Sequence, residues 1–170
     1  MYPLLIAAVA LAAPAVEVLP VAAVSAADVG ARGPVFPRGG PEADDALEWV
    51  HGEPADLTQG AVVVEVWSTW CGACREAWPA LDALQREHPT VVIVALSDGP
   101  VAKVERFLAA EGAPSFRVAV DGTGALVQDL IFGGFGGRGL PSAYVVRDGT
   151  VVWGGPPEAL AAQLGSDGGG

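Results

Sequence analysis

Cys71 and Cys74 are the only two cysteines among the 170 residues, in the order Cys-Gly-Ala-Cys. The pair follows an apolar run, residues 61–67, at a point where a buried strand is expected to pass into a helix. A thiol at a helix N-terminus is favoured as the thiolate by unpaired backbone N–H groups and the helix dipole, and its pKa falls to roughly 3.5–7.5. Two such thiols form a reversible two-electron couple, so this spacing and setting predict redox chemistry.

A cysteine pair can also form half of a zinc site or a purely structural disulfide. Zinc requires four ligands, usually two such pairs, and the remaining candidates are His51 before the strand and His88 about four turns along the helix. A structural disulfide across two residues constrains little entropy in the unfolded chain. The residues therefore favour redox chemistry, and no metal ion or other cofactor is predicted.

The charge of the chain limits the classes of partner. It carries 20 acidic and 9 basic side chains, which give a formal charge of −11 at pH 7. The basic residues are scattered singly, so no basic cluster is available for nucleic acid or an anionic membrane surface, and no nucleic-acid partner is expected. We interpret the acidity as a source of solubility.

The N-terminal region predicts export. Residues 2–16 are apolar and uncharged, shorter than the about 20 residues of a membrane span but typical of the centre of a secretory signal. The basic residues that usually precede such a signal are missing, so residues 1–26 are expected to be a signal peptide or an uncleaved anchor, or to reflect a misassigned start. Further along, we expect a flexible linker at 27–43, a domain at 44–164 and a disordered tail at 165–170.

Strand-like and helix-like segments alternate along the domain. The predicted elements are a strand at 61–67, a helix at 71–87, a strand at 91–96, a helix at 101–111, a strand at 116–120, a short helix at 125–131, strands at 143–146 and 151–153, and a closing helix at 157–164. Asp148-Gly149 between the last two strands is a hairpin signal. This order predicts an α/β fold with a mixed central sheet and helices on both faces.

These elements and motifs resemble the thioredoxin fold, and more closely its exported TlpA/ResA-like branch of thiol–disulfide oxidoreductases. The resemblance covers roughly residues 47–164. Its most specific part is an apolar strand followed by Trp-Cys-x-x-Cys-Arg at residues 70–75, with Pro79 at the family's distance from the first cysteine. Residues 139–142 are similar to the family's Gly-x-Pro-Thr/Ser segment, and the helix and strand within 101–121 resemble the extra element of this branch.

The resemblance implies roles for the cysteine pair and for Glu65. Cys71 is expected to attack a client disulfide as a thiolate, and Cys74 to resolve the mixed disulfide. Glu65 lies in an otherwise apolar strand and matches the family's buried acid. Desolvation would raise its pKa toward the working pH, as a general base requires. The alternative is a strand-edge glutamate in water, although strands buried on both faces rarely carry one.

Residues around the cysteines are expected to contact the client. Trp70, Gly72 and Ala73 flank the pair in sequence. The resemblance implies a cis Leu140–Pro141 bond, which would leave the Leu140 backbone free to pair with an extended client segment. An ordinary trans proline at the start of a strand is the alternative.

The remaining candidates are given structural or minor roles. The glycine-rich run 133–137 lacks the strand-before-helix context of a phosphate loop, and we expect a mobile loop near the proline turn, with Phe135 in contact with the client. Arg75 either favours the thiolate by its charge or is simply solvated. Two tryptophans are expected in the core and two histidines at the surface: Trp67 and Trp78, and His51 and His88.

The sequence thus predicts an exported oxidoreductase that reduces protein disulfides, with cytochrome c apoproteins among the clients that the resemblance suggests. A reductase in an oxidising compartment needs a membrane thiol donor to recharge it, and a monomer is expected. A dithiol oxidase would use the same residues, and Gly-Ala in place of the family's common Gly-Pro leaves the potential open. A peroxide-reducing relative would need Thr and Pro around its cysteine, and a copper carrier would need a wider cysteine spacing and a later histidine; none follows His88.

Overall fold

The computed structural model describes residues 47–137 and 139–164. The signal or anchor predicted for 1–26, the linker for 27–43 and the tail for 165–170 lie outside these ranges. The elements in chain order are β1 (Leu47–His51), β2 (Ala61–Val66), α1 (Gly72–Glu87), β3 (Val92–Ser97), α2 (Val101–Glu111), β4 (Arg117–Asp121), α3 (Ala125–Phe132), β5 (Ser142–Arg147), β6 (Thr150–Gly155), a 3-10 turn (Pro157–Ala159) and α4 (Leu160–Leu164).

All six strands form one mixed sheet, in the order β1-β4-β3-β2-β5-β6. Strands β2, β3 and β4 are parallel, whereas β1 pairs antiparallel with β4, and β5 lies antiparallel between β2 and β6. Parallel strands end at the same edge of a sheet, and we call this edge the carboxyl edge. Since β5 starts at the carboxyl edge, with Ser142 opposite Val66, the segment after β2 and the segment before β5 meet there.

The two faces of the sheet bury separate cores. Side chains alternate along β2, so Val62, Val64 and Val66 point to one face and Val63 and Trp67 to the other. Helices α1, α2 and α4 cover the face of Trp67, which we call the α1 face, through Trp78, Val104 and Leu160 among others. Helix α3 covers the opposite face, the α3 face, with Val127 and Leu130.

The predicted mixed sheet with helices on both faces is confirmed. Every predicted element is present with ends within two residues, except that the first turn of the closing helix is a 3-10 turn and α4 itself begins at Leu160. Strand β1 was not predicted. Its short sequence shows no clear alternation, and its place depends on pairing with β4 far along the chain. Within the ranges that the structure describes, no helix combines the length and hydrophobicity needed to cross a membrane.

His51, which was predicted at the surface, is half-buried. Its Nε2 lies 2.9 Å from the carbonyl oxygen of Pro114. The pairing of β1 with β4 brings this histidine next to the loop that follows α2, a long-range contact that local sequence does not reveal. His88, at the C-terminal cap of α1, is also half-buried.

Candidate active site

The two cysteines form a disulfide at the first turn of α1, with an S–S distance of 2.04 Å. Cys71 is the N-cap of the helix, in extended conformation, and its Sγ accepts a hydrogen bond from the backbone N–H of Cys74 at 3.1 Å. The backbone N–H of Cys71 donates to the carbonyl of Ser68 at 3.0 Å and closes the turn between strand and helix. This local geometry holds both sulfur atoms at the carboxyl edge of the sheet.

The two cysteines differ in exposure. Cys71 is 6% exposed and Cys74 is 0% exposed. Trp70 is 78% exposed, and Gly72 and Ala73 are exposed as well, so the side of the disulfide nearer to Cys71 faces the solvent. An incoming sulfur atom therefore reaches Cys71 before Cys74.

Glu65 is buried in β2 on the α1 face, the face that the cysteine-bearing helix covers. The alternation of β2 places its side chain between those of Val63 and Trp67. Its neighbours in register are Ala95 of β3 and Ala143 of β5, whose small side chains leave room for the carboxyl group.

The carboxyl group of Glu65 is held in a neutral state near physiological pH. The residue is 0% exposed, and neither oxygen has a hydrogen-bond partner among the described residues. Burial raises the pKa of Glu65 to about 8, an effect that the nearby indole of Trp78 reduces only in part. A carboxyl group with this pKa can both hold and release a proton at neutral pH.

Four aromatic rings pack against one another on this part of the α1 face. The ring centroid of Trp78 lies 4.5 Å from that of Trp67, 5.5 Å from that of Phe107 and 5.2 Å from that of Phe116. Trp67 and Trp78 are buried, as predicted. The sequence analysis missed that Trp78 also adjoins the carboxyl group, although its position one helical turn after Cys74 was a usable signal.

The proline turn lies beside the end of β2. The Leu140–Pro141 peptide bond is cis, as predicted. The Ser142 hydroxyl donates to the carbonyl of Gly139 at 2.6 Å, and Ser142 is in register with Val66 of β2. The segment that carries Leu140 and Pro141 therefore starts from the same edge as the disulfide.

Two other sequence predictions concern residues near this edge. The proposed client contact of Phe135 is wrong, because its side chain is buried in the core of the α3 face. The physical reason is that the neighbouring glycines have no side chains, so the backbone packs closely on the sheet and the ring of Phe135 reaches the apolar core. Arg75 is solvated and forms an ion pair with Glu111 of α2, with 3.6 Å between Nη1 and Oε1.

Groups of three or more histidine, cysteine, aspartate or glutamate side chains that could hold a metal ion are not found within residues 47–137 and 139–164. The disulfide and the buried carboxyl group of Glu65 are the reactive groups that the geometry brings to this part of the fold. Together they can exchange a disulfide and move one proton.

Known proteins are similar to this chain in sequence and in fold. The sequence model of the Redoxin family matches residues 43–158, more than half of the chain. The thiol:disulfide interchange protein HelX of Rhodobacter capsulatus is 31% identical over 93 residues, which are 54% of this chain and 49% of HelX. The chain thus spans about half of the length of this relative, and 25% and 39% of two thioredoxin-like relatives.

Solved structures agree with this assignment. The Chlorobium tepidum protein assigned to thiol:disulfide interchange protein DsbE is 27% identical, with a TM-score of 0.53 over 66% of this chain and 83% of that chain. The exposed lipoprotein thioredoxin Etrx1 of Streptococcus pneumoniae, at 19% identity, shows the fold alone, with a TM-score of 0.59 over 70% of this chain and 96% of that chain. The predicted thioredoxin-like fold is confirmed. The predicted resemblance to TlpA/ResA-like thiol–disulfide oxidoreductases is confirmed, and the chain belongs to the Redoxin family.

Proposed function

We propose that this protein reduces disulfide bonds of client proteins outside the cytoplasm, with Cys71 and Cys74 as the exchanging couple. The observation that carries the proposal is the position of a disulfide, beside the exposed Trp70, on the helix that covers a buried, neutral carboxyl group, Glu65. The reducing direction is supported by the likeness to the TlpA/ResA-like group.

The first step is the attack of Cys71. In the reduced protein, the N-terminus of α1 and the N–H of Cys74 favour the Cys71 thiolate. This thiolate attacks one sulfur of the client disulfide and forms a mixed disulfide. The other client sulfur leaves as a thiolate and takes a proton from water.

The second step is resolution by Cys74. Ionised Glu65 accepts the proton of the Cys74 thiol, and the resulting thiolate attacks the sulfur of Cys71. The second client sulfur leaves and is protonated, so the client gains two electrons and two protons while the enzyme pair is oxidised. The end state is a disulfide with a protonated Glu65, which agrees with the raised pKa of this carboxyl group in the oxidised protein.

Five residues around the couple are proposed to bind the client. Trp70, Gly72 and Ala73 offer an exposed surface beside Cys71. The backbone of Leu140, next to the cis Pro141, is proposed to pair with an extended segment of the client, since backbone pairing accepts many sequences.

We further propose how the protein is recharged, which clients it reduces and where it acts. A reductase in an oxidising compartment must be recharged, and we propose a thiol donor in the membrane for this purpose. Cytochrome c apoproteins are the proposed clients, and the monomer is the proposed active form. Export is supported by the apolar stretch at residues 2–16.

The reduction potential of the Cys71–Cys74 couple tests the proposed direction. Equilibration with glutathione or dithiothreitol buffers, followed by thiol alkylation, is expected to give a potential at or below about −200 mV, in the range of reducing thioredoxin-fold proteins. A value near about −120 mV would identify a dithiol oxidase and contradict the proposal.

Trapping the mixed disulfide tests the proposed order of attack. With reduced protein, insulin as client and no free dithiol, Cys74→Ala is expected to accumulate a covalent adduct through Cys71, and Cys71→Ala to form none. Turnover is measured separately, with a dithiol donor present. Both variants should lose turnover by at least about 10³-fold, because a covalent nucleophile or its resolving partner is missing. Adduct formation through Cys74 would contradict the assigned order.

A further inference from the structure

The glycine-rich segment 133–137 is packed against the sheet and is not an open loop. Phe135 at its centre is 6% exposed and belongs to the core of the α3 face. A Cβ atom added at Gly133 would overlap with the ring of Phe135, so the chain can turn over this ring only with a glycine there. Local mobility, the property expected from such a composition, does not fit this packing.

The same segment lies directly on β5 and β6. A Cβ atom at Gly136 would overlap with the carbonyl oxygen of Gly154 in β6, and one at Gly154 would overlap with the carbonyl oxygen of Phe135. A Cβ atom at Gly137 would overlap with the hydroxyl of Tyr144 in β5. The backbones therefore approach each other at distances that only glycine allows.

One of these contacts involves a residue of the proline turn itself. The position of a Cβ atom at Gly137 is also 3.0 Å from Oγ of Ser142, the hydroxyl that donates to the carbonyl of Gly139. Tyr144 and Gly154 are themselves paired across β5 and β6. The turn with Leu140 and Pro141 is thus connected on both sides to the same pair of strands.

We propose that residues 133–137 form a rigid support that fixes the Leu140–Pro141 backbone for client pairing, with Gly137 and Ser142 as positioning residues. This inference rests on the proposed function, because it assumes that Leu140 pairs with the client. A displaced turn weakens the backbone hydrogen bonds to an extended protein segment. A small disulfide forms no such bonds, so its reaction with Cys71 does not depend on the turn.

The experiment compares a protein client with a small disulfide. In the full chain, Gly137→Ala is expected to raise KM for insulin about five- to tenfold with kcat within about twofold, as for the loss of one or two backbone hydrogen bonds. The rate of the reduced protein with oxidised glutathione should stay within about twofold. Gly112→Ala is the matched control: its φ of +94° makes alanine strained there too, but the residue ends α2 outside the segment 133–142, so stability should fall while KM for insulin stays unchanged.

A second variant keeps the test decisive if Gly137→Ala does not fold. Ser142→Ala removes only the hydroxyl bonded to Gly139, and we expect KM for insulin to rise about threefold with an unchanged rate for oxidised glutathione. An unchanged KM in the folded variants, or an equal loss with both substrates, would overturn the inference. A wild-type protein that does not reduce insulin at all would instead contradict the proposed function.

Discussion

Glu65 and Asp121 are two buried carboxyl groups in one sheet, and their surroundings differ completely. Glu65 is 0% exposed on the α1 face, and within the described chain it has no hydrogen-bond partner. Asp121, equally buried at the end of β4, accepts hydrogen bonds from the N–H and hydroxyl of Thr123 at 3.1 and 2.8 Å and from the N–H of Val127 at 3.1 Å.

The contrast shows that burial alone does not identify a functional acid. Asp121 ties the start of α3 to the end of β4 through these hydrogen bonds, and all of them satisfy polar groups that the fold buries or half-buries. Glu65 lacks such donors within residues 47–137 and 139–164, so desolvation dominates and its pKa rises to about 8. One carboxyl group therefore stabilises the fold, and the other is available for proton transfer.

The largest expected effect is the pH dependence of stability that Glu65 imposes. Its pKa is about 8 in the folded protein and near 4.5 in the unfolded chain, so the native state holds one proton more between these values. The contribution of this bound proton to the free energy of unfolding is fully present below pH 4.5. It is lost as the pH rises toward 8, by up to about 5 kcal/mol in total.

Urea unfolding between pH 4.5 and 8.5 measures this effect. Because the glutamine side chain in Glu65→Gln cannot ionise, the difference in free energy of unfolding between wild type and this variant should shrink or change sign as the pH rises. Parallel curves for the two proteins would show that Glu65 is not held neutral, and the contrast with Asp121 would disappear.

The second effect concerns the rate of resolution. Glu65→Gln removes the proton acceptor of Cys74, so decay of the mixed disulfide should slow about 10²-fold at pH 8 and lose its rise with pH. The attack of Cys71 on the client should remain within about threefold, which provides an internal control. A resolution rate with the wild-type pH profile would refute the role of Glu65 as base.

Replacing Asp121 is expected to lower stability without slowing turnover. Asp121→Asn turns an amide donor toward at least one of the groups that now donate to it, and should lower the free energy of unfolding by about 2 kcal/mol. Insulin turnover per folded molecule should not change. Asp98→Asn, an exposed aspartate after β3, is the control and should stay within about 0.5 kcal/mol of wild type. A catalytic loss in Asp121→Asn would remove the distinction between the two acids.

Much of the fold and of the site could be predicted because the relevant signals are local. The helix predicted at 101–111 has the observed ends, since its apolar spacing and the glycine after it are sufficient. Glu65 could be recognised because a charged residue is rare in a strand buried on both faces.

The errors arise where distant segments decide the structure. Strand β1 exists because it pairs with β4, and His51 is half-buried because that pairing brings it next to Pro114. Phe135 was expected to contact the client because glycines indicate mobility, yet Gly136 and Gly137 allow close packing on β5 and β6 instead. Composition shows where a backbone can approach closely, but not which surface it meets.

The smallest effect is expected at Arg75, the basic residue nearest to the cysteine pair in sequence. Its ion pair with Glu111 spans 3.6 Å, and both side chains are about half exposed, so water and salt screen their charges. Arg75→Gln should therefore change insulin turnover by less than about twofold and the free energy of unfolding by less than about 1 kcal/mol. Arg106→Gln, on the exposed side of α2, is the matched control. A tenfold loss in Arg75→Gln alone would mean that an exposed charge, rather than the N-terminus of α1 and the N–H of Cys74, sets the reactivity of Cys71.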